Sequence, residues 1–361
     1  MPREPKITTK NISEDASMSI PQQPMPQPQE FSPEEDRALR PQRMSEMIGQ
    51  RDVASRLEIS ISAAQKRKET LGHILLDGPP GLGKTTFAMC IPRELGVSIQ
   101  IGNGATLKSP KDVVPYLTNA ETGSILFIDE IHRMQKSVEE FLYPAMEDFR
   151  IDLTLGEGIN ARTLNIQLKP FTLIGATTRS GLISNPLRDR FQIQEHLDFY
   201  SFDELAVIVR RSAGKLNIQI DDDAAYEIAF RSRGTPRLAN NRLRWVRDFA
   251  DAKANGVITL SVAHEALEMQ GIDTLGLDPQ DKRYLETILR VFGGGPVGLD
   301  TLANTLNLES DTLTGVVEPF LLRSELMICT PKGRCLTEKG FRHLGASPVE
   351  YVGTNAPLFG D

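Results

Sequence analysis

The stretch GPPGLGKT, Gly78 to Thr85, has the residue types that hold a phosphate chain. Its glycines let backbone N–H groups turn inward around a β-phosphate, and a helix beginning there adds positive potential. Lys84 is spaced to reach the β- and γ-phosphates, and Thr85 to offer its hydroxyl to Mg²⁺. About 45 residues beyond Lys84, SILFIDEIHR carries four apolar residues into Asp129 and Glu130. Asp129 suits the Mg²⁺ shell, and Glu130 suits a general base that polarises the attacking water. Two adjacent acids alone fit a helix N-cap equally well. Paired with the phosphate loop, they predict ATP hydrolysis rather than binding alone. The arginines of NPLRDRF (185–191) and RGTPR (233–237) have two readings. Arg188, Arg190 and Arg237 are solvated surface charges, or one of them is an arginine finger at the γ-phosphate. A finger supplied by a neighbouring subunit would require a ring or other oligomer.

These groups need elements to position them. From about 36 to 200 the chain alternates short apolar runs, HILLDG (73–78), SILFIDE (124–130) and FTLIGATT (171–178), with longer amphipathic stretches. Near-continuous apolar runs indicate strands buried on both faces, joined by crossover helices. The expected fold is α/β, a doubly wound parallel sheet with ligands at the carboxyl ends of its strands. Pro92, inside the helix that follows the phosphate loop, removes a backbone hydrogen bond and is expected to kink or end that helix. Residues 201–275 show only helical spacing, with Ser201, Asp221 and Ser261 as capping residues, and predict a small helical domain without strands. Residues 277–346 read as three helices followed by two short runs around a Pro-Lys-Gly-Arg turn, the pattern of a winged helix-turn-helix. Residues 1–35, rich in Pro and Gln, and residues 347–361 are expected to be tails outside the packed domains.

Composition narrows the class. At 361 residues the chain exceeds what one core usually fills, which fits several domains. It has no apolar run long enough for a membrane helix and no secretory h-region, so a cytoplasmic protein is expected. Cys90, Cys329 and Cys335 are odd in number and have no metal-like spacing, which fits reduced thiols. The net charge of −7 excludes a wholly basic nucleic-acid coat but allows a local basic site. A basic segment near the end of the chain reads equally as such a site or as a merely solvated face. From Arg323 to His343 five basic residues (Arg323, Lys332, Arg334, Lys339, Arg342) face two acids, with Lys332 and Arg334 at the hairpin turn where phosphates would be met.

The ordered series GPPGLGKTT, FIDEIHR, YPAMEDF, GEG, FTLIGATTRSG, PLRDRF, RSRGTPR, GGPVGLDTLA and TPKGR resembles the AAA+ ATPases. More narrowly it is similar to the RuvB family of Holliday-junction branch-migration motors, over residues 36–345. The resemblance implies an AAA+ large domain (36–200), a lid (201–275) and a winged-helix DNA-binding domain (277–346). It implies ATP and Mg²⁺ as cofactors, held by Gly81, Gly83, Lys84, Thr85, Thr86 and Asp129, with Leu39 and Arg40 near the adenine. Glu130 would be the catalytic acid, Thr177 or Thr178 the polar sensor, Arg190 the finger entering the neighbour's site, and Arg237 the lid arginine. Glu147, Asp148, Phe149 and Tyr200 would complete the nucleotide surroundings. The implied partners are duplex DNA at a four-way junction, RuvA docking on a 149–168 hairpin, the resolvase RuvC, and further copies in a hexameric ring.

Some positions depart from the family's pattern. Cys329 and Lys332 stand where arginines are usual, and Ser310 where some relatives have a basic residue, which predicts weaker DNA binding by this domain alone. Asn241 and Trp245 alter the lid helix, with an expected effect on packing rather than chemistry. Two other classes remain open from the motifs: a clamp-loader-like or protein-remodelling ATPase, and an ATP-dependent DNA-binding switch that does not translocate. A DExH-box helicase does not fit, because the chain has one P-loop sheet followed by helices.

Overall fold

The computed structural model describes residue 35, residues 38–155 and residues 162–347. Apart from their innermost residues, the two tails lie outside the described residues, as does the GEG tip (156–158) of the hairpin.

The three apolar runs become strands β1 (Ile74–Asp77), β3 (Ile125–Asp129) and β6 (Thr172–Thr177). They are buried almost throughout, as strands covered on both faces must be. Two further strands, β2 (Ile99–Asn103) and β7 (Ile193–His196), extend the sheet to the order β2-β3-β6-β1-β7. Every pairing in it is parallel. The carboxyl ends of β1, β3 and β6 therefore lie side by side, where a doubly wound sheet binds its ligand. The 149–168 segment forms an antiparallel pair, β4 (Arg150–Leu155) with β5 (Arg162–Gln167), separate from the main sheet.

Helices α1 (Arg51–Arg67) and α2 (Lys84–Leu95) cover one face of the sheet. On the other face lie α3 (Pro110–Thr118) and α4 (Lys136–Glu147), packed with Leu126, Ile128 and Leu173. Contrary to expectation, Pro92 does not end α2, which runs on to Leu95 and stops at Gly96, whose φ is +68°. Buried Phe87, Cys90 and Ile91 fix the helix against the sheet, so the one missing N–H is tolerated.

The lid comprises α5 (Phe202–Lys215), α6 (Asp222–Phe230), α7 (Pro236–Lys253) and α8 (Leu260–Met269). Ser201 caps α5 in a reciprocal box with Glu204, as its spacing predicts. Two details differ from the sequence reading. The cap of α8 is Thr259, whose side chain accepts from Val262 N, and Ser261 lies inside the helix. A two-residue parallel pair, β8 (Gln219–Ile220) with β9 (Val257–Ile258), ties the inter-helix loops together where no strand was expected. Lid residues Leu205, Val209, Ala239 and Leu243 belong to the same apolar core as Ile74, Leu76 and Phe87 of the sheet layer. That shared core places the start of α7 beside the phosphate loop.

The third core is separate and contains only residues from Leu277 onward. Here α9 (Pro279–Arg290) and α10 (Leu299–Leu306) precede a helical stretch that passes through a π-turn at Leu313–Val317 and ends at Arg323. Strands β10 (Met327–Thr330) and β11 (Gly333–Leu336) then form the antiparallel wing. No described helix is long and apolar enough to cross a membrane.

Candidate active site

After β1 the chain turns through Gly78, Gly81 and Gly83, with φ of +135°, +79° and +107°. L-residues rarely adopt these conformations, and close packing excludes a side chain at two of the positions. A Cβ on Gly78 would strike the carbonyl oxygen of Leu197, and one on Gly81 would press on Thr235 and Arg237. The loop ends at the N-terminus of α2, so free amide N–H groups and the helix's positive end point into the concavity. Lys84 is only 6 % exposed, and its ammonium donates to the carbonyls of Gly78 and Pro79 at 2.7 and 2.8 Å. Burial lowers its pKa, while Glu130, Asp129 and Asp77 favour the charged form. Thr85 and Thr86 follow on the first turn of α2, half-buried.

Asp129 closes β3 and reaches back across the sheet. The Thr85 hydroxyl donates to its Oδ2 at 3.4 Å, so a hard cation at the loop could take both oxygens. Glu130 follows in a left-handed conformation, φ +49°, which turns its side chain toward the end of β6. There the Thr178 hydroxyl donates to Glu130 Oε2 at 3.2 Å. The resemblance allows either Thr177 or Thr178 as the sensor. The structure brings Thr178 to Glu130, whereas Thr177 is fully buried with its Oγ1 2.9 Å from His132 Nδ1. His132 was not singled out from the sequence, although it lies in the FIDEIHR string. Its Nδ1 is also 3.3 Å from Glu130 Oε2, and burial lowers its pKa, favouring the neutral ring.

The adenine-side residues and the lid meet the same loop. Leu39 is buried, and the backbone carbonyls of Leu39 and Arg40 accept from Lys215 on α5 at 3.4 and 3.5 Å. Tyr200 is buried and donates its hydroxyl to the Leu82 carbonyl inside the loop at 3.2 Å. Arg237 is exposed at the start of α7, its backbone N–H donating to Gly81 O at 3.4 Å. Its neighbours in RSRGTPR behave differently. Arg231 pairs with Glu227 at 2.6 Å, and Arg233 with Asp278 at 2.9 Å and with Asp281, all inward.

Arg190 belongs to another cluster. Its guanidinium pairs with Glu147 at 3.0 Å, donates to the Pro186 carbonyl at 2.6 Å and stacks over Tyr143 at 4.2 Å. Arg188 is tied to the Ser180 carbonyl. Asp148 pairs with Arg150 at 3.3 Å, and Phe149 packs edge-on against Phe171. The structure thus gathers Glu147, Asp148 and Phe149 at the junction of α4 and β4, with Glu147 on Arg190. Their side-chain contacts lie there and not on this chain's own phosphate loop.

The basic segment of the wing is largely paired within the chain. Arg334 faces inward, pairing through two nitrogens with Glu318 at 2.9 and 3.3 Å, where Tyr284 also donates at 2.8 Å. Arg323 stacks over Phe199 at 3.6 Å and bonds the Arg233 carbonyl. Lys339 and Arg342 lie 3.6 and 2.6 Å from Glu325 and Glu338. Four of the five cations counted in sequence have acidic or backbone partners, and Lys332 stands exposed at the turn. A run of charges cannot show this, because Glu318 lies outside the counted window.

Comparison with known proteins agrees with this geometry. Three family models match consecutively: the Holliday junction DNA helicase RuvB P-loop domain over residues 39–197, the RuvB AAA lid domain over 200–273, and the RuvB C-terminal winged helix domain over 274–345. The Holliday junction branch migration complex subunit RuvB of Rhodopirellula baltica is 62 % identical over 312 residues, covering 86 % of this chain and 85 % of its own. The structure of the Thermotoga maritima RuvB Holliday junction branch migration motor has a TM-score of 0.78 at 45 % identity, covering 86 % of this chain and 99 % of that one. A point variant of the same Thermotoga protein gives 0.80 at 45 % identity, with the same two coverages. With its phosphate loop, lid and wing all matched in order, the chain belongs to the RuvB family of P-loop ATPases.

Proposed function

We propose that this chain is an ATP-driven DNA motor that moves the branch point of Holliday junctions during homologous recombination and repair. The observation that carries the reading is the meeting of Thr85, Asp129, Glu130 and Thr178 beside Lys84, in a chain of the RuvB family. Loop amides and Lys84 would hold the phosphates of ATP, with Gly81, Gly83 and Thr86 shaping the cradle. Thr85 and Asp129 would hold Mg²⁺, which shares phosphate oxygens and so needs few protein ligands. When bound, that ion neutralises charge on the transferring phosphoryl group. Glu130 polarises the attacking water and Thr178 steadies it. Leu39, Arg40 and Tyr200 line the base side, and Arg237 reaches the γ-phosphate from the lid.

The position of Arg190 supports a shared site. With Glu147, Asp148 and Phe149 it lies in a corner away from this chain's own loop, paired with Glu147 at 3.0 Å, which fits a finger offered to a neighbouring copy. Hydrolysis at subunit interfaces fits a hexameric ring around duplex DNA, in the cytoplasm, with RuvA holding the junction and RuvC resolving it. The β4–β5 hairpin is the proposed RuvA contact, and Lys332 the proposed phosphate contact of the wing.

The test is dissociation of a labelled synthetic four-way junction with ATP and Mg²⁺, with and without RuvA, beside Glu130→Gln. ATP-dependent branch movement that the variant loses establishes the motor. Turnover without movement, even with RuvA, rejects it in favour of a DNA-binding switch or a protein remodeller.

A further inference from the structure

We infer that His132 is a positioning residue for Glu130, its Nδ1 fixing the carboxylate in the orientation from which it polarises water. The inference rests on the reading of Glu130 as general base.

Glu130 needs such a partner because its backbone gives little guidance. It leaves β3 with φ +49°, a conformation that costs energy for a non-glycine residue and persists only where the surroundings hold it. The next residues, Ile131–Arg133, make a single 3₁₀ turn anchored by the fully buried Ile131. That turn brings the imidazole back beneath the carboxylate, with a side chain only 8 % exposed. Nδ1 then lies 3.3 Å from Glu130 Oε2 and 2.9 Å from Thr177 Oγ1. Thr177 Oγ1 in turn accepts from the backbone N–H of Arg179 at 3.0 Å, which pins it to the end of β6.

The proton's place follows from these neighbours. An ionised carboxylate only accepts, so a bare Nδ1 lone pair would oppose it, whereas an Nδ1–H bonded to Thr177 Oγ1 at 2.9 Å turns a positive edge toward Glu130. Oε2 then accepts from the Thr178 hydroxyl at 3.2 Å, with the ring nitrogen 3.3 Å away on its other side as an electrostatic neighbour. The other carboxylate oxygen is the one left for water. His132 thus touches no substrate atom, and acts through Glu130 by locking one rotamer across the gap between β3 and β6.

The chemistry of the side chain supplies its own control. An asparagine places its amide nitrogen near the position of Nδ1, and a glutamine places it near Nε2. Steady-state ATP hydrolysis and nucleotide affinity would be measured for the full-length wild type, His132→Ala, His132→Asn, His132→Gln and Glu130→Gln. His132→Ala and His132→Gln are expected to lower kcat about tenfold to a hundredfold, the usual cost of removing a partner that orients a functional group. Nucleotide affinity should stay within about twofold, and His132→Asn should recover kcat to within about threefold of wild type. Wild-type turnover in His132→Ala overturns the inference, as does an asparagine variant no better than the glutamine one. A loss of affinity in step with kcat also overturns it, since that marks a merely structural histidine. Glu130→Gln separates the two readings. If it is inactive while His132→Ala is normal, only the histidine assignment falls; if it turns over normally, the general base is wrong and His132 has nothing to position.

Discussion

The phosphate loop and the wing both carry conspicuous cations, but the fold uses them in opposite ways. At the loop, Lys84 is buried, which lowers its pKa against the pull of the acids around it, and Arg237 stands exposed beside it on the lid. In the wing, Arg334 is spent on Glu318 and Arg323 on the stack with Phe199 and Phe320. The difference comes from covalent geometry. Glycines with positive φ and a helix N-terminus make a concavity whose polar groups must point inward whether or not other elements are near. A two-stranded wing has no such constraint, so its long side chains turn to whichever partner the packed helices offer. The phosphate-loop lysine is therefore set by local sequence, and the wing's cations by tertiary contacts.

The largest effect is expected where that comparison is carried between subunits. Arg190→Ala should retain ATP binding and lose roughly 10³-fold or more in turnover, the scale of a missing arginine finger. Mixing sharpens the result. In a mixed ring an Arg190→Ala subunit supplies an intact Glu130, and its Glu130→Gln neighbour supplies an intact Arg190. Two inactive variants should then recover measurable hydrolysis when combined. No recovery would mean that Arg190 acts within its own subunit or only supports Glu147 and Tyr143.

Glu130→Gln comes next, with a loss of about 10²- to 10⁴-fold in kcat, the range for a general base, and near-normal nucleotide affinity. Thr178→Val should fall between this variant and wild type, because it removes the hydroxyl that donates to Oε2. Equal kcat in Thr178→Val and wild type would leave Glu130 without need of that hydroxyl.

In the wing the expected effect is on stability. Arg334→Ala strands Glu318, whose side chain is 5 % exposed, with the Tyr284 hydroxyl as its remaining partner in that ion-pair network. Breaking one side of such a pair should cost about 2–3 kcal/mol in urea unfolding of the C-terminal core, somewhat less than for a fully buried pair. Arg334→Met, which keeps the volume but not the charge, should be no better. A stable Arg334→Ala with weakened DNA binding would restore the direct phosphate contact that the spacing of the turn implied.

How far the molecule was legible follows the same division. β1, β3 and β6 were readable because strands covered on both faces must be apolar throughout. β2 and β7 were not, because edge strands mix in polar residues such as Gln100, Gln194 and Glu195, the last of which is buried only through its pair with Arg56. Lys84, Thr85, Asp129 and Glu130 could be located from spacing, since each closes a strand or follows one directly or after the phosphate loop. His132 was hidden because its role depends on a single turn of 3₁₀ helix folding it back onto its neighbour. Glu147, Asp148 and Phe149 could be placed near a nucleotide by resemblance alone, and within this chain their side chains meet Arg190, Arg150 and Phe171. The lid arginines show the limit within one motif: of three in RSRGTPR, two are internal ion pairs and one stands exposed beside the loop, although all three lie within seven residues.

The smallest expected effect isolates what remains of the wing's electrostatics. Lys332 sits at the exposed turn between β10 and β11, on a segment where Cys329 and Thr330 offer no further charge. A lone lysine at a phosphate neutralises about one charge, so Lys332→Ala should weaken duplex binding uniformly across sequences and reduce the slope of log K against log salt by about 1. Cys329→Arg should move the slope the other way by a similar amount, because residue 329 pairs across the wing with Arg334, whose own charge is neutralised by Glu318. If Lys332→Ala leaves the slope unchanged while Cys329→Arg raises it, the wing approaches DNA by its β10 face rather than its tip. If neither moves it, the phosphate contacts of the motor lie on elements other than the wing.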